Sequence, residues 1–355
     1  MIDSEPTSST TSPTESSSYW VDNTLNAMGL ANADWSRLVA ASLASFGADE
    51  RARQYAHQLK LTQALLRAAL ARLDVDLKER QIPYLLLKGQ PLQELLFADG
   101  QVRSTGDIDL LVLPGDVEAT QAILDAQGYR RKREEEPRWW ALNQEPWIHP
   151  THQTVVEIHW SLTLPSIPAP PPIEVFGRCQ PFSLSDSLQV SILDPETLLI
   201  HLALHFHHHH GFAKGLVDVA GWCDRQASTV DHEALLDRCR RLGLYGLVQW
   251  PLHTLAHLCD RRPPLWRADA DPLVKTWARV SSIALRHCLD REAHTPLEDS
   301  MMTMMPQIGP ASNVTVEALT MLVLDGAPAK IEGVLRRFFL GPHRIGRRLQ
   351  SILPV

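Results

Sequence analysis

Asp107 and Asp109 stand one residue apart in "GDIDLLV", residues 106 to 112, where the chain otherwise reads as a buried strand. Alternate side chains of a strand share a face, so the two carboxylates point together while Ile108 and Leu110 point the other way. Like charges that close repel each other, and one pKa rises unless a cation sits between them. A divalent ion removes the conflict. Magnesium takes a few carboxylate oxygens together with substrate phosphates, and a D-x-D strand end offers that kind of open, half-built site. Glu157 in "VVEIHW" is a third acid embedded in an apolar strand. If its strand lies beside the first, Asp107, Asp109 and Glu157 converge as catalytic residues and metal ligands. That is enough for two Mg²⁺ or Mn²⁺ ions in an in-line displacement at phosphorus.

Around the acids stand residues suited to a nucleotide. "LLLKG" ends an apolar run at Lys88-Gly89, just before a short helical segment. Gly89 lets backbone N–H groups approach a phosphate, and Lys88 adds a point charge. Arg103, in the loop before the aspartates, either clamps a phosphate or pairs with an acid. His159 shares a face with Glu157 and is a candidate for orienting a carboxylate or touching substrate. Asp218 in "LVDVAG" interrupts an apolar stripe, and either lines the cleft or satisfies an internal hydrogen bond. His201, His205 and His209 fall on one helical stripe, where two ring nitrogens suffice to start a zinc site. The run from His205 to His210 holds no H-E-x-x-H pattern and has no Cys pair nearby, which favours a polar face against the cleft.

The same D-x-D lettering recurs in "LDVDL", residues 73 to 77, but there it follows a helical stripe. Helical neighbours two apart do not face each other, so Asp74 and Asp76 read as a solvated helix end.

These residues need elements to hold them. Strands are expected at Tyr84 to Lys88, Ile108 to Leu113 and Thr154 to Trp160, with short helices near Pro91 to Phe97 and from Pro114–Asp116 to a stop at Gly128. From Asn26 to Leu77 the pattern is helical, with Leu59, Leu66, Leu70, Leu73 and Leu77 on one face. The five prolines of "TLPSIPAPPPIEV" exclude regular structure and mark a stiff linker or surface excursion. Beyond it, "LDPETLLIHLALHFHHHH" opens a helix with Asp194 as cap and Pro195 at the first helical position. Further helices are expected near 231–242, 244–260, 272–290, 314–325 and 328–353. The division that follows is a disordered Ser/Thr/Pro tail at 1–18, an N-terminal helical region at 19–80, a mixed core at 81–190 and an all-α region at 191–355.

Composition narrows the function classes. A formal net charge of −7 argues against broad nucleic-acid binding, which is built from many Lys and Arg contacts to phosphates. The basic residues Arg336, Arg337, Arg344, Arg347 and Arg348 read as a solvated helix face or an anion-binding surface. The apolar runs fall short of the roughly 20 residues of a membrane span. Five cysteines, odd in number and never in a C-x-x-C pair, read as free thiols in a reducing compartment, so a cytoplasmic location is expected.

The series Lys88-Gly89, Arg103, "GDIDLLV", "EIHW" and "HLALHFHHHHGFAKGLVDVAGW" resembles the uncharacterised nucleotidyltransferase family of the DNA polymerase β-like superfamily. The likeness covers about residues 50 to 260 and is most specific between L-K-G and D-I-D-L-L-V. It implies an α+β fold, a small mixed sheet with flanking helices, to which N-terminal helices and an all-α C-terminal region are added here. Asp107 and Asp109 match the first two acids, Glu157 the third and Gly89 the glycine of the phosphate-binding turn. Gln90 stands where the wider superfamily has the serine of a Gly-Ser pair, and the interval from Gln90 to Asp107 is longer than in most members. The resemblance implies transfer of a nucleoside monophosphate, or a related phosphoryl-type group, from a nucleoside triphosphate to an unknown acceptor, a small molecule or a ribosomally made peptide among them. Loss of the serine donor leaves an alternative of another class: a degenerate fold that binds nucleotide or peptide without turnover. A histidine-cluster metalloprotein is the third reading.

Overall fold

The computed structural model describes residues 19–27, 40–42, 50–97, 101–103, 105–132, 143–163, 165, 167–208 and 213–289. The expected tail at 1–18, the helices at 314–325 and 328–353, the C-terminal arginines, and His209 and His210 lie outside them.

The described residues begin with α1 (Tyr19–Ala27), a short strand β1 (Ala40–Ser42) and the 30-residue α2 (Glu50–Glu79). The next segment holds β2 (Tyr84–Leu86), α3 (Gln90–Leu96), β3 (Gln101–Arg103), β4 (Asp107–Val112), α4 (Val117–Ala126), β5 (Arg130–Arg131), β6 (Gln144–Ile148) and β7 (Val155–His159). After these come α5 (Pro172–Arg178), β8 (Gln180–Ser185), β9 (Leu188–Ile192) and the helices α6 (Pro195–His208), α7 (Ala213–Arg225), α8 (His232–Arg241), α9 (Tyr245–Cys259) and α10 (Pro272–Leu289). No helix among the described residues is long and apolar enough to cross a membrane.

Seven strands form one mixed sheet in the order β5-β6-β7-β4-β2-β9-β8, and β1 pairs separately with β3. β4 lies at the centre, antiparallel to β2 and parallel to β7. Each face of the sheet has its own core. On one side Tyr84, Leu86, Ile108, Leu110, Val112, Val156 and Ile158 pack under the Leu66, Leu70, Leu73 and Leu77 stripe of α2 and under α4. On the other, Leu85, Leu87 and Leu111 pack against α1, α3 and α6–α9. Alternation along β4 therefore sends its apolar residues at 108, 110 and 112 toward α2. The odd positions, the two aspartates among them, go to the face that the later helices cover.

The expected strands and helices around the acids are present, with ends displaced by a residue or two. Six strands were not legible: β1, β5, β6, β8, β9 and β3, which carries Arg103, expected in a loop and held instead by pairing with β1. β6 carries Pro146 beside Glu145, and β8 carries Pro181, so neither shows the apolar alternation by which strands are recognised. Two expectations are corrected. The proline-rich stretch ends in α5, because Pro172 occupies the first helical turn, where its missing N–H is no loss. β1 interrupts the region read as continuous helix from Asn26 to Leu77.

Asp74 is corrected as well. It is buried, accepts the Tyr84 hydroxyl at 2.7 Å and pairs with Lys78 at 2.8 Å. Solvation was expected from helix spacing alone, but Tyr84 of β2 brings its hydroxyl to the helix and supplies the missing partner. Asp76 stays partly exposed and accepts from Gln127 Nε2.

Candidate active site

The parallel register of β4 and β7 sets Asp109 directly beside Glu157, with Asp107 opposite Val155 and Leu111 opposite His159. Glu157 and His159 alternate out of the core that takes Val156 and Ile158, so they share the aspartates' face. Ligand atoms of Asp109, Glu157 and His159 all lie within 4.8 Å of one another. His159 Nε2 is 3.2 Å from Asp109 Oδ1 and 3.6 Å from Glu157 Oε2. Asp109 is 1% exposed, whereas 23% of the Glu157 side chain reaches solvent.

Gly89 makes the turn into this site possible. Its φ of +81° is one that L side chains rarely adopt, and a Cβ there would stand 3.3 Å from Thr105 Cγ2 and 3.4 Å from the Asp107 carbonyl oxygen. Gly89→Ala is expected to destabilise by roughly 1–2 kcal/mol, which a denaturant melt measures. Lys88 follows the end of β2 and places Nζ 3.1 Å from Asp109 Oδ1.

The charges are strongly coupled. Asp109's charge, together with burial, pushes the Asp107 carboxyl up to about 6. Burial works against ionisation of Asp109, but Lys88 and His159 overcome it and hold that carboxyl well below the usual range. Burial likewise opposes the His159 imidazolium, yet the hydrogen bonds to Asp109 and Glu157 raise its pKa. Lys88 and the hydrogen-bonded His159 thus stand among three acids, and at Asp107 the charges of Lys88 and Lys214 fall short of offsetting burial and the repulsion. An additional positive charge on this face relieves it. The donor set fits a divalent ion, since hard carboxylate oxygens and an imidazole converge from adjacent strands.

The other expected site residues fall into two groups. Gln90 does not project toward the acids: its Nε2 donates to the Gln63 carbonyl at 2.6 Å, and its Oε1 accepts from Arg67, which ties α3 to α2. Arg103 takes the acid-pairing alternative. Its Nε and Nη2 donate to Oδ1 and Oδ2 of Asp218, both at 2.7 Å, in a pair whose side chains are 3% and 0% exposed. Asp218 thereby holds α7 against β3, and Gly221 seats the same helix on α3, where a Cβ would fall 2.7 Å from the Leu96 carbonyl oxygen.

His205 is half-buried, its ring centroid 6.3 Å from that of His201. His201 is the histidine nearer the acids. Burial, and then the charges of Lys88 and His159, push it down to about 3. His201 and His205 belong to no three-ligand metal set among the described residues, so the expectation of a histidine metal cluster gains no support from them. Sequence reasoning missed Lys214, a partly buried lysine in the first turn of α7 whose charge acts on Asp107. Its spacing of four from Asp218 was the signal available.

A family model described as "Uncharacterised nucleotidyltransferase" matches residues 20–262, which take in every residue of this cluster. The chain belongs to that nucleotidyltransferase family. Membership implies a nucleotide donor. No curated protein matches the chain.

Proposed function

We propose that the protein is a metal-dependent nucleotidyltransferase that moves a nucleoside monophosphate from a triphosphate donor to an acceptor hydroxyl or phosphate. The observation that carries this reading is the β4–β7 register, which sets Asp109 beside Glu157 on the face shared by Asp107. Asp107, Asp109 and Glu157 would hold Mg²⁺ or Mn²⁺, which when bound supplies Lewis-acid neutralisation of the triphosphate and of the leaving pyrophosphate.

The remaining work falls to the chain itself. Lys88 and His159 hold Asp109 ionised and fix its rotamer between them. Glu157, the acid of that pair open to solvent, accepts the proton of the acceptor oxygen as it attacks the α-phosphorus. The bond to pyrophosphate breaks, and pyrophosphate carries away the electron pair. Gly89, which caps α3 without a side-chain hydrogen bond, carries the backbone close past the Asp107 carbonyl oxygen.

The test is incubation with α-labelled nucleoside triphosphates, Mg²⁺ or Mn²⁺ and candidate acceptors, wild type against Asp109→Asn. Label moving equally in both defeats the proposal. A second reading, nucleotide binding without turnover, is favoured by one observation, the turn of Gln90 away from the acids toward α2. Calorimetry separates the two, because binding that is indifferent to metal and yields no product supports the second.

Transfer should also show an acid limb. Asp107, raised to about 6, must be ionised to bind metal, so activity falls as pH drops through that value. Metal competes with the proton, and a tenfold increase in Mg²⁺ is expected to move the midpoint lower. A midpoint that ignores Mg²⁺ would remove Asp107 from the ligand set.

A further inference from the structure

Lys88 and His159 each approach Asp109 Oδ1 closely, at 3.1 and 3.2 Å, whereas a third basic residue, Lys214, makes no such direct ion pair among the described residues. Lys214 lies on α7 four residues before Asp218, a spacing that puts the two side chains on one face of the helix. Arg103 grips both Asp218 oxygens at 2.7 Å, and the tight approach of Gly221 to Leu96 prevents α7 from sliding. The position of Lys214 is therefore set by the same network that leads through β3 into Asp107. Its charge acts on Asp107, the first residue of β4, and the charges of Asp218, Asp107 and Lys88 act on it in turn. Among the described residues no carboxylate oxygen lies within 4.0 Å of its ammonium.

A partly buried ammonium without an ion-pair partner costs stability. Burial, and then the neighbouring Arg103, outweigh the favourable charges of Asp218 and Asp107 and hold this one down at about 8. An anion that arrives with substrate offsets that cost, and a triphosphate, which brings divalent cations with it, is an anion that the acids on β4 admit.

We propose that Lys214 binds the distal phosphates of the donor nucleotide and so makes the site select triphosphates over monophosphates. The proposal rests on the nucleotidyl-transfer reading above. Lys214 supplies the phosphate contact that Gln90, turned toward α2, does not. Arg103 and Asp218 act as positioning residues that hold the lysine in place.

The experiment uses the full chain with Mg²⁺ and the four ribonucleoside triphosphates, and measures affinity by calorimetry alongside α-label release or transfer. Lys214→Ala is expected to weaken triphosphate binding roughly tenfold to a hundredfold, by loss of a charge-assisted contact. Its affinity for the corresponding monophosphates should stay within about twofold of wild type, and Lys214→Arg should recover most of the triphosphate affinity. Thermal melts of both variants show whether the fold is intact. If wild type moves label and Lys214→Ala binds triphosphate as tightly as wild type does, the lysine proposal fails while the activity stands. Equal loss for mono- and triphosphates, or Lys214→Arg as weak as alanine in a folded protein, overturns it too. Wild type that neither binds triphosphate nor moves label removes the activity and the lysine's role together.

Discussion

Asp109→Asn and Asp107→Asn are each expected to lower label transfer by roughly 10²–10³-fold or more, while moving stability in opposite directions. Asp109 is almost fully buried and compensates both Lys88 and His159. Taking its charge away strands the buried Lys88 ammonium, a loss of about 3–5 kcal/mol. Asp107 stands in the opposite position, because Asp109's charge and burial have pushed its carboxyl up to about 6 from an ordinary 3.8. A carboxyl raised on folding penalises the native state once ionised. The penalty is absent below about pH 4, grows as pH rises and is complete above about 6.

Asp107→Asn should therefore stabilise the metal-free protein at pH 8, by on the order of 3 kcal/mol at most, and leave it nearly unchanged at pH 4. Added Mg²⁺ should raise the melting temperature of wild type more than that of this variant, since the ion relieves the repulsion that asparagine has already removed. Thermal melts at the two pH values, with and without Mg²⁺, measure all of this. A destabilised Asp107→Asn at pH 8 would show that the acids are not in conflict, and the argument for a shared cation would lose its basis. A loss of activity accompanied by a gain in stability is the signature of a residue kept for chemistry rather than for the fold.

The second large effect is expected at Asp218. Its two oxygens take both hydrogen bonds of the Arg103 fork in a site closed to water. Asp218→Ala leaves a buried guanidinium unpaired, at a cost of about 3–5 kcal/mol, a large fraction of the roughly 5–15 kcal/mol that a domain has in total. A fall in melting temperature of roughly 6–20 °C follows. The double variant Arg103→Met with Asp218→Leu should recover most of it, because an apolar pair of similar volume needs no compensation. If the single variant melts within about 2 °C of wild type, the pair does not hold α7 in place. Should the double variant regain stability and yet bind triphosphate weakly, the network's part in aiming Lys214 is separated from its part in folding.

Much of the site could be read from order alone, and the reason is local. Asp107, Asp109 and Glu157 sit in strands whose alternation with Ile108, Leu110, Val156 and Ile158 is visible over a few residues. Burial of one face then dictates what the other presents. Gly89 likewise announced a turn that a side chain would obstruct, and the helix beginning at Pro195 announced its cap.

Partners distant in sequence were beyond that reach. Arg103 and Asp218 are 115 residues apart, and nothing in either neighbourhood says that one will neutralise the other. The burial of Asp74 depended on Tyr84 arriving from the next strand, and the turn of Gln90 toward α2 on the Gln63 carbonyl standing there to accept its hydrogen bond. Polar, proline-bearing strands such as β6 and β8 show no periodicity, because they gain their place from the neighbours they pair with. The sequence alone determined which residues share a face, since backbone geometry fixes that within each element. Only the tertiary structure decided which faces meet, because strand order, register and buried charge pairing are set by long-range packing.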